Sequence, residues 1–161
     1  MAPDTIFLLV VVFICFVTDV LYRKMPNLVT LPAIVVGFGY NLLGGWPALK
    51  ISLLGFSIGF GFFLFFWFLG GMAEGDVKLM GAIGAIKGYP FIVLNIFYIS
   101  ILAGVMAICK LIWQERFFSY FRENWRYVFR QDKIYKHEDT VPFGVAIMAG
   151  TCIALVKGGY L

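Results

Sequence analysis

Gly70-Gly71-Met72-Ala73-Glu74-Gly75-Asp76-Val77-Lys78-Leu79-Met80 interrupts an otherwise almost unbroken apolar run. It brings two carboxylates, three glycines and a lysine to membrane depth or just outside it. Acidic groups that close to hydrocarbon are expensive and usually functional. The natural partner for Asp76 is Asp19, far back in the chain and also at the edge of an apolar run.

The composition explains why lipid is the expected solvent. Of 161 residues, 61% are hydrophobic and 14% charged, with 18 Phe and 18 Gly, more apolar surface than a soluble domain of this length hides. The first 22 residues lack a basic start and a small-residue cleavage site, so they read as a retained span. Cys15, Cys109 and Cys152 sit in apolar runs and never pair as C-x-x-C, which argues against a zinc knuckle or a disulfide framework. No metal and no cofactor is expected.

Working outward, the fold class is an all-α integral membrane protein forming one domain over 1–161, with about six transmembrane helices over 5–22, 28–43, 48–69, 77–87, 91–113 and 141–156. Arg23-Lys24-Met25-Pro26-Asn27 makes a basic turn in which Pro26 stops a helix and Asn27 caps the next. Gly55, Gly59 and Gly61 let a neighbour approach the third span closely. The fourth, rich in Gly and Ala, is too short to cross alone and needs shielding by its neighbours. Over 114–140, Phe117, Phe121, Trp125 and Val128 recur at helical spacing opposite Arg116, Arg122, Arg126 and Arg130. This is the pattern of an amphipathic helix in the cytoplasmic interface. No nucleic acid is expected, since the aromatics would then have no apolar home. His137 reads as a surface residue.

Orientation follows from the basic residues. Arg23, Lys24, Lys78, Lys110, Arg116, Arg122, Arg126, Arg130, Lys133 and Lys136 fall on one side, and Lys50, Lys87 and Lys157 on the other, so the first side is cytoplasmic. Both termini then lie outside, and Asp19 and Asp76 reach the same face. Singly, each acid has an ordinary reading: Asp19 as an ion pair with Arg23, Asp76 as a helix cap. Together they form a pair that cannot readily ionise twice, shares a proton, and acts as general base and general acid on one water. Gly75, beside the acid, leaves room for an extended peptide, and Gly70-Gly71 permits the break between helices.

Asp19-x-x-x-Arg23-x-Met25-Pro26-Asn27, Gly70-Gly71-Met72-x-x-Gly75-Asp76-Val77-Lys78-Leu79 and Pro142-Phe143-Gly144 resemble, in that order, the landmarks of type IV prepilin peptidases, which are intramembrane aspartyl proteases. The resemblance implies a catalytic Asp19–Asp76 dyad facing the cytoplasm from a bacterial inner membrane. It also implies that prepilin or pseudopilin precursors lose a short basic leader, usually just after a glycine. Bifunctional members carry a further segment with paired cysteines, associated with N-methylation. This chain is similar instead to the compact form found with tight-adherence (Flp-type) pili, so proteolysis without methyl transfer is expected.

One departure is Ala73, where the usual Gly-x-Gly-Asp has its first glycine. Arg23, Pro26, Asn27, Gly75, Lys78, Pro142 and Gly144 are expected to support the site, Pro142-Phe143-Gly144 by starting the sixth span beside it. Glu74, with Glu138 and Asp139, reads either as an attractor for the basic leader or as a solvated loop acid; Lys78 reads either as an orienting cation or as a snorkelling one. The alternative from another class is a small proton- or ion-coupled carrier, which also uses paired intramembrane acids. Carriers hold them near the midplane, however, and the two halves of this chain show no inverted repeat.

Overall fold

A computed structural model of the protein describes residues 2–113 and 143–160. The expected interfacial helix over 114–140 lies outside the described residues, as do Pro142, His137, Glu138 and Asp139. The described residues form six helices and no strand: α1 (Pro3–Tyr22), α2 (Asn27–Leu43), α3 (Trp46–Phe68), α4 (Glu74–Lys87), α5 (Tyr89–Trp113) and α6 (Phe143–Lys157). Three of them, α1, α3 and α5, contain stretches long and apolar enough to cross a membrane; α2 and α6 are apolar but shorter. Phe13, Phe65, Phe97 and Val105 each expose about half of their surface or more, on the outside of the bundle. A water-soluble bundle would not present so continuous an apolar surface, and lipid is the solvent that fits it. The protein is a membrane protein.

The short helix α4 is the centre of the bundle. At 1.5 Å per residue it is only about 21 Å long. Every residue from Leu79 to Ile86 is buried, with α1, α2, α3 and α5 packed around it. The closest approach is to α3: a Cβ on Gly84 would overlap the Gly55 carbonyl, and one on Gly59 would lie 2.6 Å from the Met80 carbonyl oxygen. Gly61, expected to share this role, instead faces open space, because it is turned away from the α4 side of α3. With no lipid-to-water gain on offer inside a bilayer, such backbone contact is what holds two helices together.

A helix that stops inside a bundle leaves carbonyls without partners. At the end of α4, Asn41 Nδ2 of α2 donates to the Ala85 and Ile86 carbonyls, each at 3.1 Å, and Ser52 Oγ of α3 donates to Ala85. On the far side of the bundle, α5 meets α6 through Gly150 packed on Ile99 and a buried hydrogen-bonded pair, Asn95 and Thr151.

Two turns depend on particular residues. Gly70, at φ +75°, ends α3: its N–H donates to Trp67 O and that of Gly71 to Phe66 O, the reciprocal pair that closes a helix on a left-handed glycine. Arg23 takes the left-handed conformation (φ 51°) and donates its N–H to Asp19 O, ending α1. Asn27 does not cap α2 as expected. The cap position belongs to Pro26, and Asn27 is the first helical residue, its side chain directed to α4.

Candidate active site

Asp19, near the end of α1, and Asp76, in the first turn of α4, lie at the same end of the bundle. Helix α4 begins at Glu74 rather than at 77, so Asp76 is helical. Its carboxylate reaches back to the Ala73 N–H at 3.3 Å, and its own N–H donates to Ala73 O. Ala73 has φ −82° and ψ 151°, ordinary extended backbone, so this position makes no demand for glycine and the alanine is accommodated without strain.

The two carboxyls sit in different surroundings. Asp76 is 4% exposed, and precedes the apolar stretch of its helix. Burial, and then the charge of Asp19, hold its proton well above the usual carboxylate range, opposed only by the long Ala73 hydrogen bond. Asp19 is half-buried and accepts a 2.8 Å hydrogen bond from the Gly144 N–H in the first turn of α6. The open amides and the dipole at a helix start favour negative charge there. Gly144 also makes the space: a Cβ on it would stand 2.7 Å from Asp19 Oδ2. Beside it, the Phe143 ring meets Phe63 of α3 edge-on, seating the start of α6 over the site.

The other expected site residues divide. Gly75 is needed for close approach, but what fills its space is Met25 from the α1–α2 turn, whose Cβ would be 2.7 Å from an added methyl. Lys78 donates to Asn27 Oδ1 at 3.1 Å and pairs with Glu74 four residues earlier, tying the start of α4 to the start of α2. Pro26 shapes that turn, and Arg23 closes α1. The side chain of Glu74 is largely exposed. Among the described residues, no three His, Cys, Asp or Glu side chains cluster as metal ligands would. Sequence reasoning missed two contributors: Met25 as a packing element and the Gly144 amide as the donor to Asp19. For the second, Pro142-Phe143-Gly144 was the available signal.

Comparison with known proteins identifies the family. The chain is 32% identical over 126 residues to the prepilin leader peptidase/N-methyltransferase of Neisseria gonorrhoeae, an alignment covering 72% of this chain and 42% of that protein. The chain thus spans less than half the length of the curated relative it matches. No solved structure matches it. The type IV leader peptidase family model matches residues 6–108, a range that holds both Asp19 and Asp76. With most of the described bundle inside that match, the chain belongs to the type IV leader peptidase family.

Proposed function

We propose that this chain is an aspartyl endopeptidase of a bacterial inner membrane that removes the short basic leader from type IV (Flp-like) prepilins at the cytoplasmic face, with about six spans and Asp19 and Asp76 as its catalytic pair. The observation that carries this reading is a buried carboxyl, Asp76, within the field of a second one, Asp19, at one end of a lipid-facing bundle. Each acid also meets the start of a helix, Asp76 at the Ala73 N–H and Asp19 at the Gly144 N–H, but capping alone does not call for a buried carboxyl within the field of another. Their position at one end of the bundle, away from its middle, also favours a protease over an ion-coupled carrier.

The unequal surroundings assign the roles. Asp19, served by the Gly144 N–H, is the charged partner and general base; Asp76, buried, holds the proton. Asp19 takes one proton from a water, and the water oxygen bonds to the scissile carbonyl carbon. The Asp76 hydroxyl donates to the developing oxyanion. As the C–N bond breaks, the Asp76 proton passes to the leaving amine, and the proton held by Asp19 returns to Asp76, restoring the pair. One water is consumed and no other reactant is needed. Methyl transfer is not part of this reading.

The test is incubation of the purified protein in detergent with a pilin-like precursor, followed by mass measurement of both products. The expected result is a single cut after the leader, commonly following a glycine, with a free, unmethylated new amino terminus. An intact precursor overturns the reading.

A further inference from the structure

At the opposite end of the bundle the same two helices meet again. Lys87, the last residue of α4, forms a 2.8 Å ion pair with Asp4 in the first turn of α1, the two side chains being 5% and 18% exposed. Lys87 Nζ also donates to Thr5 Oγ1 at 2.6 Å and stands 5.5 Å above the Tyr160 ring. Thr5 in turn donates to the Tyr160 carbonyl at 3.1 Å, and Tyr160 is folded back by the glycine turn that ends α6. Among the described residues, Lys87 thus meets an acid, a hydroxyl and a ring within one cluster.

A buried ion pair is a poor source of stability, because desolvation consumes most of the attraction; its best-attested use is to fix register. Between α1 and α4 no glycine contact sets the register. Helix α4 is locked to α3 by Gly84 on Gly55, whereas none of α4's own glycines packs on α1. From Asp4 to Asp19 along α1 is about 22 Å, and from Asp76 to Lys87 along α4 about 16 Å. The difference is about one extended lysine side chain, so with Asp19 level with Asp76 the lysine is at full reach, and a slip that carries Asp4 one helical turn, about 5.4 Å, further from Lys87 breaks the pair.

We propose that Asp4 and Lys87 are positioning residues that pin α1 to α4 and thereby hold Asp19 and Asp76 in working register. The inference rests on the aspartyl-protease reading.

The experiment compares kcat and KM for precursor cleavage by the full chain and by Lys87→Met, Lys87→Arg, Asp4→Asn and the exchange Asp4→Lys/Lys87→Asp, each checked for an intact fold by melting in detergent. Lys50→Met, which removes the lysine over the Trp46 ring, is the control and leaves cleavage unchanged. Lys87→Met and Asp4→Asn are expected to lower kcat by about 10-fold to 10²-fold with KM within about twofold, as misplaced catalytic groups do. Lys87→Arg and the exchange are expected to recover most of that loss. A folded Lys87→Met or Asp4→Asn protein with the kcat of the unaltered chain overturns the pin, as does a rise in KM with kcat unchanged. Failure of the unaltered chain to cleave overturns the protease reading instead, so the two failures are distinct.

Discussion

The two ends of the bundle use the same three structural parts for opposite electrostatics. At one, α1, α4 and the start of α6 bring two acids and a backbone amide together; at the other, α1, α4 and the turn after α6 bring an acid, a lysine, a hydroxyl and a ring together. The Lys87 end satisfies its charges. The Asp76 end buries a carboxyl within the field of a second one, so that it keeps its proton, an arrangement that costs stability as pH rises and that a membrane bundle has no structural need to keep. Strain of that kind, confined to one end and braced at the other, is the signature of a site whose purpose is chemistry.

Several changes break or sharpen this contrast. Beyond the two carboxylates themselves, the largest effect falls on Gly144. In Gly144→Val the added carbons displace the Asp19 carboxylate, so cleavage falls by about 10²-fold while the melting temperature in detergent changes little. Gly84→Val acts on the frame that both ends share: forcing α3 off α4 costs about 3 kcal/mol, the upper part of the overpacking range, seen as a lower melting temperature.

The third prediction concerns pH. Since burial and the Asp19 charge raise the proton affinity of Asp76, the group stays protonated well past the pH at which an ordinary carboxyl, near 4, has ionised. Activity therefore falls on the alkaline side only as pH rises through the raised value, and a profile of kcat/KM places that limb above the ordinary carboxylate range. For stability the sign is the same: the charged form is the disfavoured one, so a penalty absent below the unfolded-state value grows as pH rises towards the raised one. The smallest effect is expected for Lys78→Met, which breaks a partly exposed pair and the link to Asn27, at about 0.5 kcal/mol by denaturation and with cleavage retained.

Much of this was legible in the amino-acid order. The apolar runs announced the helices, the order of the spans brought Asp19 and Asp76 to one end, and Gly70-Gly71 announced the turn that delivers Asp76. The partners of individual side chains were not legible. That Met25 fills the space above Gly75, that Asn27 serves Lys78 instead of capping α2, and that Asp4 meets Lys87 all depend on the rotation and axial offset of neighbouring helices. In a soluble helix an apolar stripe reveals the rotation. Here α3 is apolar on every side, and the informative contacts are backbone-to-backbone at Gly55 and Gly84, where no side chain advertises the pairing.

The central claim is that Asp19 and Asp76 jointly activate one water. Its most direct test is cleavage of a pilin-like precursor by folded, membrane-inserted Asp19→Asn and Asp76→Asn proteins. The account predicts that each single change lowers the rate at least about 10²-fold, the lower bound for losing a general acid or base, and that the double change lowers it little further. Cleavage by either single variant at a rate near that of the unaltered protein would contradict it.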